Sequence, residues 1–162
     1  DVSSNILKDG KEIFSNLRFA QMAVEQLGFK KEVFDVVTGS GILHHLNIEL
    51  ALPEIHRILK PHGYFIFFEP NLYFVENWLI NKFSIFRKYS TLSEDERHFT
   101  KKYIFNLLKE QGFRDVEVKL LFTYHPKLPR GLLPLNRIVN KLLEKLNCQY
   151  FSRELLIIGQ KG

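Results

Sequence analysis

Apolar residues along the chain alternate between strand-like runs and helix-like spacings. Val33–Thr38 (VFDVVT) is a nearly continuous run rich in β-branched residues, which predicts a strand buried on both faces. A helix is predicted over 48–59, because apolar residues recur there at helical spacing: Ile48, Leu52, Ile55 and Leu59. Lys60–Gly63 predicts a turn, and Tyr64–Phe68 (YFIFF) predicts a second buried strand.

Weaker patterns continue this alternation on both sides. Before the first strand, Ser3 or Ser4 caps a predicted helix over 5–14, and Leu17–Met22 predicts a short strand. After the second strand, we expect a helix over 72–86 and a loop over 89–98. A further helix is predicted from a Thr100 cap to about residue 111, where Gly112 ends it.

The last part of the chain predicts a hairpin with an insertion. Phe113–Phe122 and Arg153–Gly159 are strand-like, and no helical crossover of the usual kind joins them, so we expect an antiparallel pair at one edge of the sheet. Between them lie an irregular linker over 126–134 and an amphipathic helix, Leu135–Leu146. The pattern as a whole predicts one α/β domain over 1–162, with a mostly parallel sheet, flanking helices and a helical segment inserted at about 126–147.

Composition narrows the class of protein. The 162 residues are 45% hydrophobic and 25% charged, which fits one soluble globular domain. The single cysteine, Cys148, excludes an internal disulfide and a cysteine-rich metal site, and it fits a reducing, cytoplasmic setting. The histidines show no metal-ligand spacing, so no metal is expected. No apolar run approaches the ~18 residues of a membrane span, and the first residues do not form a signal peptide, so we expect no membrane partner.

The ends of the predicted strands are the places where chemistry is expected. Ligands of open α/β sheets bind beyond the carboxyl ends of the strands. Gly39-Ser40-Gly41 follows the first buried strand, and its small residues allow a ligand to approach the backbone. A tight turn between strand and helix explains the same three residues equally simply.

Three segments in this order and spacing resemble a known family. They are FDVVTGSGILHHL at 34–46, ILKPHGYFIFFEPN at 58–71 and HFTKKYIFNLLKEQGF at 98–113. From Asp1 to about Val118 the chain resembles the later part of class I S-adenosylmethionine-dependent methyltransferases. The resemblance implies a Rossmann-like, seven-stranded sheet whose last hairpin is reversed. It also implies that the family's first strand and glycine-rich cofactor loop belong upstream of Asp1, so that the chain is truncated at its N-terminus.

The resemblance implies a reaction and a set of site residues. A small-molecule or cofactor-precursor acceptor attacks the methyl group of S-adenosylmethionine in line, and S-adenosylhomocysteine leaves. Three strand ends are implied to bind the cofactor: Asp1 and Val2 at the ribose; Met22, Ala23 and Val24 at the adenine; and Thr38, Gly39, Ser40 and Gly41 along the methionine part. Ala23 stands where family members often carry an aspartate, so the backbone would hold the adenine.

Four polar residues are candidates for the acceptor side of the site. His44 or His45 is a candidate general base, and at most one of the two is expected to face the pocket. Glu69 and Asn71 either contact the acceptor or cap the end of their strand.

Other functions remain open from the sequence. A non-catalytic methyltransferase-like scaffold or partner subunit is the main alternative, supported by Ala23. A dinucleotide-dependent oxidoreductase is disfavoured because no G-x-G-x-x-G is present. The absence of an Asp/Asn-Pro-Pro-aromatic motif after the first buried strand disfavours amino-adenine methylation of nucleic acid. The place of Cys148 near the end of the amphipathic helix disfavours a covalent cysteine mechanism on cytosine, so nucleic acid is not the expected substrate. A homodimer is possible: the basic helix over 137–145 is expected to cover the sheet edge, but a lid, a dimer contact or an acidic-partner surface are alternatives.

Overall fold

The computed structural model describes residues 3–74, 99–122 and 129–162. Its helices are α1 (Ser4–Ile13), α2 (Ile48–Ile58), α3 (Lys101–Glu110) and α4 (Leu133–Lys145). Its strands are β1 (Phe34–Ser40), β2 (Leu59–Pro70), β3 (Phe113–Leu121) and β4 (Glu154–Lys161). Short 3₁₀ helices lie at Val24–Gln26, Leu43–His45, Arg130–Leu132 and Gln149–Phe151. Within these described ranges, no helix combines the length and apolar character needed to cross a bilayer.

The four strands form one sheet in the order β1-β2-β4-β3. β1 and β2 are parallel, whereas β4 is antiparallel to both β2 and β3. Three strands therefore run in the same direction and one is reversed, which confirms the predicted α/β fold with its antiparallel C-terminal pair. The carboxyl ends of β1, β2 and β3 consequently lie along the same edge of the sheet.

One apolar core joins α2 and α3 to the sheet. α2 contributes Ile48, Leu52 and Ile55, which are the residues whose spacing predicted this helix. α3 contributes Ile104 and Leu108, and the side chain of Thr100 accepts the Tyr103 N–H as the predicted N-cap. The remaining fully or nearly buried members come mainly from the strands: Leu43, Leu59, Phe65, Phe67, Phe99, Phe113, Val116, Val118, Leu155 and Ile157.

β1 is not buried on both faces, in contrast to the prediction from its apolar run. Val36 is 48% exposed, and only intermediate burial is reached by Phe34, Val37 and Gly39. The physical reason is the strand's position, because among the described strands β1 pairs with β2 alone. A continuous apolar run predicts that a strand forms, but it does not predict how many strands lie beside it.

Two further segments differ from their predictions. Leu17–Met22 forms no strand in the described part of the chain. The reason is that this segment is bonded into no ladder there, and a strand needs a hydrogen-bonding neighbour. Lys60–Gly63, predicted as a turn, forms an irregularity inside β2: β1 advances from Phe34 to Val36 while β2 advances from Leu59 to Tyr64.

Local capping and periodicity located the other described elements correctly. Ser3 accepts the Ile6 N–H at the start of α1, as expected of an N-cap. The inserted helix begins at Leu133, so the predicted linker ends slightly earlier than residue 134. Residues 75–98 and 123–128 lie outside the described residues. The helix expected over 72–86, the loop over 89–98 and part of the linker fall there.

Candidate active site

The turn that leaves β1 is built around two glycines with different roles. A Cβ on Gly39 would lie 2.5 Å from Phe67 Cε1 and 2.9 Å from Ile42 Cγ2, so side-chain packing requires a glycine at this position. Gly41 has a φ of +59°, in the left-handed region that glycine adopts without strain. Its N–H donates to the Phe68 carbonyl oxygen at 2.8 Å, which holds the turn against β2.

The carboxylate of Glu69, near the end of β2, binds the segment that follows this turn. Oε1 accepts the N–H groups of Ile42 and Leu43 at 3.0 and 2.8 Å. Oε2 accepts the His44 N–H at 3.4 Å and His44 Nδ1 at 2.7 Å. Glu69 is 1% exposed, and a buried carboxylate requires such partners. These bonds hold the segment after β1 and do not cap the end of β2, which was the predicted alternative, while contact with an acceptor stays a prediction.

The two adjacent histidines differ in environment. His44 is buried, and the Cε1 edge of its ring faces Gly41, 3.9 Å from the place of a Cβ there. His45 is exposed, yet the two ring centroids lie 4.0 Å apart. Because a carboxylate oxygen only accepts, the 2.7 Å contact places a proton on His44 Nδ1 and leaves Nε2 as the acceptor nitrogen of the neutral ring.

Asn71, one residue beyond β2, ties this strand end to the start of β4. Its Nδ2 donates to the carbonyl oxygens of Gln149 and Ser152 at 2.7 and 2.8 Å, and its Oδ1 accepts the Tyr73 N–H at 3.1 Å. Asn71 is 1% exposed. The strand-end role foreseen for Asn71 is therefore visible in the structure, and a contact with an acceptor remains a prediction.

A cavity of about 410 Å³ lies along the edge of β1 that pairs with no described strand. Four of the residues predicted to bind a cofactor line it, namely Val24, Thr38, Gly39 and Ser40. The other walls are apolar: Leu27, Phe29, Phe34, Val36, Val37, Ile42, Leu46, Ile55, Ile58 and Phe67. Met22 and Ala23 precede Val24 in the chain without lining the cavity, and Gly41 lies beside it in the turn. Asp1 and Val2 lie outside the described residues.

An ion pair on α2 holds one wall of this cavity. Arg57 donates to both carboxylate oxygens of Glu54 and to the carbonyl oxygens of Leu27 and Phe29, each at 2.8 Å. Glu54 in turn accepts the Leu27 N–H at 2.9 Å. The hydrogen bonds from Arg57 hold the pKa of the Glu54 carboxyl below its usual range. Sequence reasoning missed this pair, although a Glu and an Arg three residues apart on a helix are the available signal.

A second cavity, of about 660 Å³, lies beyond the end of β2. Its lining combines aromatic, basic and amide side chains: Tyr73, Thr100, Lys101, Lys102, Tyr103, Phe105, Asn106 and Gln149. Tyr73 stands four residues past Glu69, and its ring makes an edge contact with Tyr150 at 6.0 Å between centroids. Six of these residues lie in the family-like segment 98–113, but the sequence did not predict their grouping with Tyr73 and Gln149, because the three segments are far apart in the chain. Among the residues that the structure describes, no His, Cys, Asp and Glu cluster could hold a metal ion.

Comparison with known proteins shows which proteins this chain resembles. The model of a methyltransferase domain matches residues 1–67. The ubiquinone/menaquinone biosynthesis C-methyltransferase UbiE of Rickettsia felis is 32% identical over 144 residues, and the match covers 75% of this chain and 58% of that protein. This chain therefore spans somewhat more than half the length of that relative.

Solved structures share the fold. A methyltransferase of Thermotoga maritima, described as a possible histamine N-methyltransferase, superimposes with a TM-score of 0.74 at 19% identity, covering 100% of this chain and 71% of that one. A methyltransferase of Archaeoglobus fulgidus gives 0.65 at 17% identity, covering 99% and 74%. The chain therefore carries a match to a methyltransferase domain over residues 1–67 and shares the fold of S-adenosylmethionine-dependent methyltransferases.

Proposed function

We propose that this chain forms part of a methyltransferase that transfers a methyl group from S-adenosylmethionine to a small-molecule acceptor, with His44 as the general base. The observation that carries the proposal is the hydrogen bond of 2.7 Å between His44 Nδ1 and the buried Glu69 carboxylate, which also binds the N–H of Ile42 in the wall of the cavity on β1. This pair orients one imidazole nitrogen as a proton acceptor at the carboxyl edge of the sheet, where ligands of this fold class bind.

The donors and walls of the cavity on β1 fit the cofactor. Its apolar walls suit an adenine ring, and the hydroxyl groups of Thr38 and Ser40 supply hydrogen bonds at its rim. In this proposal the backbone of Met22, Ala23 and Val24 contacts the adenine, and 38–41 follow the methionine part. We propose that Asp1 and Val2 contact the ribose.

The residues of this chain act mainly by positioning. When bound, S-adenosylmethionine supplies the methyl group and leaves as S-adenosylhomocysteine. Nε2 of His44 accepts the proton that the acceptor atom loses, and the Glu69 carboxylate stabilises the resulting imidazolium. Glu69 is a positioning residue here, since it acts through His44.

The acceptor is proposed to be an electron-rich aromatic compound that binds in the cavity beyond β2. Tyr73, Tyr103 and Phe105 offer ring faces, and Lys101 and Lys102 offer cations for an oxygen-bearing ring. The named activity of the Rickettsia felis relative, C-methylation in quinone biosynthesis, supports an acceptor of this class.

Thermal unfolding with S-adenosylhomocysteine tests cofactor binding. Ligand at about 100 times its dissociation constant adds about 2.7 kcal/mol, which raises Tm by about 5–11 °C for a domain of this size. Ser40→Phe fills the cavity and should abolish the shift. Lys119→Phe, an exposed position on β3, should retain it as the matched control.

Methyl transfer to a naphthohydroquinone then tests the reaction. We expect transfer by the wild type and loss of transfer in His44→Asn with the cofactor shift unchanged. Absence of both the shift and the transfer from folded protein, in this chain and in a version extended upstream of Asp1, would instead support a non-catalytic methyltransferase-like scaffold. A shift in the extended version alone would support the enzyme.

A further inference from the structure

The inserted helix α4 presents three distinct faces. The face toward the body of the protein carries partly buried residues: Leu133, Asn136, Asn140 and Leu143. A second face carries apolar residues at helical spacing, which are all exposed: Leu135, Ile138, Val139, Leu142 and Leu146. The third face carries a row of exposed basic residues four apart: Arg137, Lys141 and Lys145.

The exposed apolar face is large for a helix on a protein surface. Ile138 is 67% exposed, Leu142 58% and Leu146 66%, and α4 contains no buried residue. Leu132 before the helix and Phe151 after it are also exposed apolar residues. Contiguous exposed apolar patches of this kind mark interaction sites rather than ordinary solvated surface.

The basic row gives the chemistry of the partner. No ion pair of the described residues involves Arg137, Lys141 or Lys145, and Glu144 is the single acidic residue of the helix. The chain as a whole carries a formal charge of +5. A helix with one apolar face and a cationic face beside it is typical of segments that lie in the interface of an anionic bilayer.

We propose that α4 binds the surface of an anionic lipid bilayer, with its apolar face inserted among the acyl chains and its basic row at the headgroups. This inference is independent of the proposed reaction. It revises the expectation from the sequence that a membrane is not a partner, because the exposure of the apolar face is visible only in the structure.

An antiparallel pair with a second copy of the chain fits this helix less well than a bilayer. Antiparallel two-fold packing through the apolar face would bring the two basic rows to the same side of the helix pair. Like charges held side by side oppose association, whereas an anionic surface attracts all three cations at once.

The place of α4 in the fold brings the bilayer close to the candidate site. Asn140 Nδ2 donates to the Phe122 carbonyl oxygen at 2.8 Å, just beyond the end of β3. The segment that follows α4 is held by Asn71, at the end of β2. The proposed lipid-binding face therefore lies at the same edge of the sheet as Glu69 and His44.

Vesicle co-sedimentation of the purified chain tests the proposal. The probes are vesicles of phosphatidylcholine alone and of phosphatidylcholine with about one-third phosphatidylglycerol. Replacing Arg137, Lys141 and Lys145 together with Gln should weaken binding to the anionic vesicles on the order of 100-fold, about fivefold per charge. Ile138→Glu with Leu142→Glu should abolish binding.

A matched control separates the helix from general surface charge. The double variant Ile13→Glu, Leu50→Glu adds the same two negative charges at exposed apolar positions of α1 and α2. It should bind the anionic vesicles almost as well as the wild type, with a small decrease caused by the added charge alone. Circular dichroism checks that each variant is folded. Equal binding by both double variants would overturn the proposal, as would absence of wild-type binding to anionic vesicles. A wild-type dimer in light scattering that only the α4 variant dissociates would overturn it in favour of a second copy.

Discussion

Replacing Glu69 with glutamine keeps the shape of the side chain and removes its charge. The glutamine carbonyl oxygen can retain the bonds from the Ile42 and Leu43 amides, observed at 3.0 and 2.8 Å. Its NH₂ group, however, then faces the donor at His44 Nδ1, which lies 2.7 Å from Oε2 in the structure. The variant loses this bond unless the imidazole moves its proton to Nε2.

The expected cost follows from burial. Hydrogen bonds to charged groups contribute about 1.5–3 kcal/mol each, and water cannot replace this one at a carboxylate that is 1% exposed. A loss of 1 kcal/mol lowers Tm by about 2–4 °C in a domain of this size. Glu69→Gln should therefore unfold about 3–12 °C below the wild type.

Two control variants make the measurement specific. His44→Asn places an amide NH₂ near the position of Nδ1, so it should keep the bond to Glu69 and most of the stability while removing the base. Glu117→Gln changes an exposed carboxylate on β3 and should stay within about 0.5 kcal/mol of the wild type.

The tautomer of His44 gives a second readout beside Tm. In the ¹⁵N spectrum of the imidazole, the wild type should carry its proton on Nδ1. In Glu69→Gln, a proton that stays on Nδ1 should accompany the full loss of Tm, whereas a move to Nε2 restores a neutral bond to the glutamine NH₂ and should bring the loss to the lower end of the range. A Tm within about 1 °C of the wild type, together with an unchanged tautomer, would refute the role assigned to Glu69.

Two other predictions concern stability. Gly39→Ala should destabilise by about 1–3 kcal/mol in chemical unfolding because its Cβ would overlap Phe67, whereas Gly28→Ala, with nothing within 4 Å, should be neutral or slightly stabilising; equal effects would contradict the packing role of Gly39. Burial and the charge of Lys161 lower the pKa of His56 from its ordinary value of 6.5. Because the unfolded chain then takes up the proton first, stability should fall as pH decreases below about 6.5 toward the folded-state pKa; His56→Gln should flatten this decrease in unfolding measured between pH 7.5 and 5, and an identical slope in the variant would contradict it.

The elements that the sequence predicted correctly are those whose signals are local. The apolar spacing of α2 and the Thr100 cap of α3 lie within a few residues of the structure they specify. The burial of β1 depends instead on how many strands lie beside it, and no pattern within Val33–Thr38 contains that information. The strand predicted at Leu17–Met22 is absent from the described residues for the same reason, because a strand needs a hydrogen-bonded neighbouring strand.

The sequence indicated where candidate site residues stand in the chain, but it indicated almost none of the contacts between their side chains. Val24, Thr38 and Ser40, which were predicted from the ends of strands, line one cavity, and their contact with a cofactor stays a prediction. The bond between His44 and Glu69 joins residues 25 positions apart, which spacing alone does not reveal. A signal was nevertheless present: Glu69 ends the apolar run YFIFF, and an acidic residue there must find donors if it is buried.

The same carboxylate connects the cavity on β1 to the proposed base. Glu69 holds Ile42, which lines the cavity on β1, and it holds His44, whose ring faces Gly41 in the same turn. A change at Glu69 should therefore loosen the cavity wall and misplace the base together, so that both cofactor affinity and turnover fall. His44→Asn leaves the bonds to Ile42 and Leu43 in place and should lower turnover alone. If His44→Asn weakened cofactor binding as much as Glu69→Gln, the imidazole itself would be part of the cavity wall, and the division between a positioning carboxylate and a proton-accepting ring would have to be abandoned.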